Sequence, residues 1–262
     1  MSEPRLGWTL QVLGTDRQGR GEFDGGRITE TKPVGFPGEG SEIVRVGPLF
    51  YWAWATAHGS GRIGLHPHRA FEIMSYVLEG EIGHRDTLGT LSRVGAGGAQ
   101  VMQTGSGVSH EESMFGDRTD FFQIWFEPDL RTSIQRAPTY QEFAASDFPV
   151  EGDDGVQRRI LIGPTAPITL ETDVLMDEVS LEAGTAYAGT VPAGRTLAAV
   201  VVTGPGSLDV GGEGPQPVAR RDFVVLAGAE DAAYTIRATD GPVRLVQVSV
   251  PSAVPYPLYP KA

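Results

Sequence analysis

The chain has 262 residues, 35 of them glycine, 19 proline and none cysteine, and carries a formal net charge of −12 at pH 7. That length allows one large or two ordinary domains with a sizeable core, and the acidic balance, with no Lys/Arg cluster forming a basic patch, argues against direct nucleic-acid binding. Lack of cysteine excludes disulfides, thiolate zinc sites and Cys nucleophiles, so any metal must be held by histidine and carboxylate, a set that suits iron, manganese, nickel, cobalt, copper or zinc.

In chain order, MSEPRLGWTLQVLG (1–14) has no apolar h-region. No apolar run approaches membrane-spanning length. The expectation is a soluble, cytoplasmic protein without a membrane partner. A Gly/Pro-rich loop, RITETKPVGFPGEG, leads into EIVRVGPLFYWAWATA, which alternates loosely and reads as strand. FEIMSYVLEGEIGHRD, AQVMQTG and DFFQIWFEP follow as strands, separated by the turn signals LEGE, VGAGG and TGSG. TYQEFAASDF (139–148) reads as a short helix, with Thr139 as N-cap and Glu142 completing a capping box. The acidic EGDDG after it marks a boundary. RILIG, TLAAVVVTG, SLDVGG, DFVVLAG, AYTIRA and PVRLVQVSV then read as strands, and the proline-rich tail PSAVPYPLYPKA as neither strand nor helix. Short Val/Ile/Phe/Tyr runs beside so many turn residues predict an all-β protein. The expected partition is 1–135, a short helical linker at 136–155, and 156–262.

The two halves read as a diverged repeat. SYVLEGEIG aligns with VVVTGPGSLDV, and AQVMQTGSG with DFVVLAGAE. His66 and His68 then fall opposite Thr190 and Pro192, and His110 near Ala233. All five histidines lie between positions 58 and 110, which assigns any metal chemistry to the N-terminal half.

GLHPHRAFEIMSY (64–76) places His66, His68 and Glu72 on one parity if the strand is continuous. Pro67 removes one ladder bond, so the segment starts a strand or lies at an edge. The opposite parity, Leu65, Phe71, Ile73 and Val77, is apolar, which implies burial on both faces. In TGSGVSHEES, His110 and Glu112 share a face and Glu111 points away. His66, His68, His110 and Glu112 can therefore converge as three imidazoles and a carboxylate, leaving positions open on an octahedral ion. A His-x-His pair alone could be two solvated loop residues; the second cluster at 110–112 weighs against that. His58 reads as a loop residue, and His84 as a hydrogen-bonding or pocket residue. Met74, Tyr76, Gln100 and Met102, with Phe122 and Trp125, could line an apolar slot, although each is more often plain core.

HPHRAFEIMSYVLEGEIGHRDTLG followed by GGAQVMQTGSGVSHEES resembles the pirin family, within the cupin superfamily. The resemblance is strong over residues 60–126 and diffuse elsewhere. It implies a bicupin of two antiparallel jelly-roll β-barrels, with metal only in the N-terminal one. It also implies one divalent ion, typically iron, on His66, His68, His110 and Glu112. A generic cupin would instead use Glu72 as ligand, so Glu72 and Glu112 both stand as candidates for ligand and for catalytic base. The implied activity is a quercetin 2,3-dioxygenase-like opening of an aromatic enol with O2. The alternative is a non-enzymatic iron-dependent redox sensor that binds a protein partner. The chain departs from the family at Ala70, where glycine is usual, and at Glu111, where a small residue is common. Both departures are expected to alter the pocket.

Overall fold

The computed structural model describes residues 7–259. The expectations drawn from MSEPRL at the start and from the last three residues of the tail lie outside these. The chain is almost entirely antiparallel β-structure and divides into two compact units. One is built on Arg17–Phe148, with Leu170–Thr172 and the residues from Pro255; it carries every histidine. The other comprises the residues up to Asp16, Pro149–Thr169 and Asp173–Val254. No helix among the described residues is long and apolar enough to cross a membrane.

The first strand, β1 (Trp8–Leu13), belongs to the histidine-free unit. The histidine-bearing unit then runs through β2 (Gly19–Phe23), β3 (Ile28–Val34), β4 (Leu49–His58), β5 (Gly61–His68), β6 (Glu72–Asp86), β7 (Leu91–Gly95), β8 (Ala99–Gln103), β9 (Val108–Phe126), the single-turn helix α1 (Leu130–Ser133) and β10 (Thr139–Phe143). Its strand order is β10-β8-β6-β9-β4-β3-β2, with β5 also on β9 and β7 on β6. Ile28, Ala55, Ala57, Val77, Ile82, Val94, Met114 and Phe121 form one buried cluster of its interior.

The other unit holds β11 (Val150–Asp153), β12 (Val156–Ile162), β13 (Leu175–Leu181), β14 (Ala186–Val191), β15 (Arg195–Thr203), β16 (Gly206–Val210), β17 (Gln216–Val218), β18 (Phe223–Gly228), β19 (Ala232–Arg237) and β20 (Val243–Pro251). A seven-stranded sheet, β1-β18-β15-β20-β13-β12-β11, and a four-stranded one, β14-β19-β16-β17, share a core that includes Leu197, Val201, Leu226, Ile236 and Leu245. The repeat is visible in the register. Thr190 pairs with Ala233 across β14 and β19, as His66 pairs with His110 across β5 and β9. The alignment had matched those positions.

Two expectations are corrected. The units cut across the partition at 1–135, 136–155 and 156–262, because β1 pairs with β18 and β10 pairs with β8. The helix expected at 139–148 is strand β10 followed by one 3-10 turn, Ala145–Asp147. Thr139 does not cap it; its hydroxyl donates to Gln103 Oε1 on the neighbouring strand. Five residues of ladder pairing outweigh a local capping signal.

Candidate metal centre

The site grows from two strand irregularities. Between Ile63 and His66 the β5–β9 register shifts, so that three steps on β5 match two on β9. Such a bulge re-aims the side chains beyond it, and here it sets His66 opposite His110. His66 Nδ1 lies 2.7 Å from the Gly64 carbonyl oxygen. A carbonyl only accepts, so the proton sits on Nδ1 and Nε2 carries a bare lone pair. The second irregularity follows His68. Residues 69–71 leave the ladder, and Ala70 takes φ +71°, held by its amide on the Gly105 carbonyl and its carbonyl on Ser133 Oγ.

His66, His68 and His110 bring their ligand atoms within 4.8 Å of one another. Ring centroids are 4.5–4.9 Å apart. His68 Nε2 and His110 Nε2 are buried and have no hydrogen-bond partner among the described residues. A buried polar atom left unsatisfied costs free energy, and a cation accepting both lone pairs removes that cost. Burial lowers the pKa of His68 to about 4, with the neighbouring His66 adding to the effect. Burial, then His66, His68 and His84, lower that of His110 to about 2. Both rings are therefore neutral at physiological pH, as a ligand must be. Three convergent imidazoles fit a divalent transition metal.

Glu112 follows His110 on the same face of β9 but is not among the grouped ligand atoms. Gln123 Nε2 donates to both of its oxygens, at 2.9 and 3.0 Å, and Gln123 Oε1 accepts from Trp125 Nε1 at 3.2 Å. Burial raises the Glu112 pKa to about 7; the Gln123 hydrogen bond acts against this, and the Glu30 carboxylate adds to it. The carboxyl can thus gain or lose a proton near neutrality. Trp125 stands edge-on to His68, with centroids 4.8 Å apart, and packs with Ile73, Met102 and Val108 as an apolar wall. A surface recess lined by Pro67, His68, Arg69, Thr87, Val108 and Ser109 reaches the triad at His68.

Glu72, expected as ligand or base, is corrected to a structural role. Its carboxylate accepts from Gln103 Nε2 (2.8 Å), Glu171 N (2.6 Å), Thr172 N (3.0 Å) and Thr172 Oγ1 (2.6 Å). Those four donors fill its acceptor capacity. The break at Ala70 also reverses the parity expected for β6. Ile73 and Ser75, opposite Met102 and Gln100, face the site, whereas Met74 and Tyr76 are fully buried on the opposite face with Phe122. Leu65, expected to be buried, is 61% exposed. Glu111 lies outside the pocket, paired with Arg62.

Sequence reasoning missed Gln123, Ser75 and Tyr140. A glutamine inside the apolar run FFQIW was the available signal for the first. Tyr140 stacks on His84 (4.2 Å, 20°), and its hydroxyl donates to Gln100 Oε1 at 3.1 Å. His84 does hydrogen-bond, as expected: Nε2 lies 2.9 Å from Asp86 Oδ2. Burial lowers the His84 pKa against the opposing pull of Asp86. Burial alone would raise the Asp86 pKa, but hydrogen bonds from His84, Thr90 and Leu88 bring it below the ordinary value. The pair is neutral imidazole and carboxylate.

A sequence profile of the Pirin family matches residues 54–126. A pirin-like protein of Caulobacter vibrioides is 36% identical over 148 residues, 53% of each chain. A Pseudomonas aeruginosa protein named as a candidate quercetin 2,3-dioxygenase is 35% identical over 160 residues, 60% of this chain and 65% of that one. The matched region thus spans between about half and two thirds of the length of these curated relatives. In fold, the chain is similar to the bacterial pirin YhhW of Escherichia coli, solved in complex with nickel(II), with a TM-score of 0.75, 22% identity and coverage of 93% and 99% of the two chains.

Proposed function

Because the chain belongs to the pirin family of bicupins, we propose that it is a metal-dependent oxygenase acting on a flat aromatic enol of the flavonol class. The observation that carries this reading is the pair of buried, partnerless imidazole nitrogens, His68 Nε2 and His110 Nε2, grouped with His66 beside a carboxyl that titrates near pH 7. The name carried by the Pseudomonas aeruginosa relative supports the substrate class.

His66, His68 and His110 would hold the ion, which when bound supplies Lewis acidity toward an enol oxygen and a template for O2. Glu112 takes the enol proton. A base with a pKa close to ambient pH is ionised in a substantial fraction of molecules and strong enough to accept it. Gln123, fixed from behind by Trp125, holds the carboxylate in place and keeps it from rotating away. Val108 lines the recess beside His68, and Trp125, Ile73 and Met102 pack with it as an apolar wall that would keep bulk water from a flat ring system held there. Iron is the cation we assign, with manganese, nickel, cobalt, copper and zinc as competitors for the same donors.

Oxygen uptake by iron-loaded protein with quercetin and related flavonols tests the activity. No uptake over the panel would end the oxygenase reading. Glu112→Gln separates base from ligand: as base, the variant keeps one metal ion per chain and loses turnover by ~100-fold or more, whereas loss of the ion would make Glu112 a ligand.

A further inference from the structure

We propose that Asp86 and His84 set the tautomer of His110, so that His110 presents a bare Nε2 to the cation. The proposal rests on the reading of the triad as a metal site. It follows from a chain of donors and acceptors in which each step leaves one choice.

Asp86 ends β6 directly opposite His110 on β9, and His84 lies opposite Glu112. Asp86 Oδ1 accepts two backbone amides, from Leu88 at 2.8 Å and Thr90 at 3.0 Å. Its Oδ2 faces His84 Nε2 at 2.9 Å. A carboxylate only accepts, so neutral His84 carries its proton on Nε2, and its Nδ1 becomes an acceptor. That Nδ1 lies 3.4 Å from His110 Nδ1. Two facing acceptors cannot bond, so His110 donates from Nδ1. Its one proton is then spent, and Nε2 is left as a lone pair. That atom is buried without a partner, and His110 is grouped with His66 and His68. Tyr140, stacked 4.2 Å from His84 at 20°, holds the plane of the relay ring. His66 reaches the same tautomer independently, through the Gly64 carbonyl.

The relay makes Asp86 a positioning residue that acts through two imidazoles. An isosteric change should therefore do more harm than a bulky one. In Asp86→Asn, the two backbone amides keep the carbonyl oxygen at the Oδ1 position, and the amide NH2 takes the place of Oδ2. It donates to His84 Nε2 and forces the proton to Nδ1. His84 then donates to His110 Nδ1, and His110 carries its proton on Nε2, where it blocks the ligand position. His84→Phe keeps the stack on Tyr140 and removes both nitrogens, so His110 is free to choose either tautomer.

The test has two parts. In metal-free wild-type protein, two-bond 1H–15N correlation spectra report which nitrogen of each imidazole is protonated. The expected pattern is Nε2–H on His84 and Nδ1–H on His110; the reverse on either ring overturns the proposal, whether or not the protein binds metal. In chelator competition with Zn(II), Asp86→Asn is expected to lower affinity ~10–100-fold, the usual cost of disturbing the outer partners of a ligand, and His84→Phe by less, because His110 can then still take the binding tautomer. Equal losses, or a greater loss in His84→Phe, would mean that Asp86 and His84 merely support packing. Failure of the metal reading itself is distinguishable: wild-type protein would then bind no Zn(II) whatever its tautomers.

Discussion

His66 lies directly opposite His110 across β5 and β9, with ring centroids 4.5 Å apart. The equivalent pair in the other unit, Thr190 and Ala233, has no imidazole. Metal binding should therefore be confined to one site per chain. His66→Ala or His110→Ala is expected to abolish stoichiometric metal in elemental analysis. Saturating metal at about 100 times Kd should stabilise wild-type protein by ~2.7 kcal/mol, and neither variant at all. Metal retained at one ion per chain in both variants would place the site elsewhere.

Ala70 occupies the left-handed region at φ +71°, a conformation that disfavours a side chain by roughly 1–2 kcal/mol. Glycine relieves that strain and gives back part of the gain through the greater freedom of the unfolded chain. Ala70→Gly is expected to raise stability by about 0.5–1 kcal/mol in denaturant unfolding, with metal content unchanged. A destabilised variant would show that the Ala70 methyl, 6% exposed, contributes more by packing than its backbone costs.

The same residue marks where the sequence stopped being legible. Strand content, the two-fold repeat and the histidine-rich half could all be read from alternation, turn residues and five histidine positions. The convergence of His66, His68 and His110 and the place of Glu112 beside them were also legible, because these residues follow local parity within single strands. What failed was parity carried across a break. The turn at Ala70 reverses the face of Met74 and Tyr76, and register shifts between Val77 and Glu81 change it again before His84. One residue of slip moves every later side chain to the other face, and slips are set by partner strands far away in sequence. The same non-local pairing turned a plausible capping box at Thr139 into strand β10. Glu72 looked like a ligand because its partners, Glu171 and Thr172, lie about a hundred residues away.

Glu72 therefore supplies a stability prediction. Glu72→Gln replaces one acceptor oxygen with an NH2 facing donors from Thr172 or Glu171 and Gln103. Hydrogen bonds to a charged group contribute ~1.5–3 kcal/mol each, so a loss of about 2–4 kcal/mol is expected in unfolding experiments. Hydrogen exchange at the amides of residues 171 and 172 should accelerate. Metal stoichiometry should stay at the wild-type value; a loss of bound metal in folded Glu72→Gln would return Glu72 to the ligand set.

Acid sensitivity follows from the buried groups. His68 and His110 have folded pKa values of about 4 and about 2, below the ~6.5 of an unfolded histidine. Their contribution to stability is full above pH 6.5 and is lost as pH falls toward those values, because the unfolded chain takes up protons first. Glu112, raised to about 7, has the opposite sign: its contribution is full below the unfolded value of ~4.3 and is lost as pH rises through 7. Between pH 4.5 and 6.5 His68 and His110, with the likewise lowered His84 on their side, outweigh Glu112, so the stability of metal-free protein should rise by at least on the order of 1 kcal/mol per pH unit. Above 6.5 the unfolded histidines finish losing their protons while Glu112 ionises, so the two contributions nearly cancel and stability should level off. Melting temperatures of chelator-treated protein from pH 4.5 to 8 read this directly. His68→Gln should flatten the acid limb, and Glu112→Gln should steepen the rise between pH 5 and 7. A wild-type melting temperature that falls from pH 5 to 6.5, or an acid limb unchanged in His68→Gln, would mean that the triad is not buried as neutral imidazole.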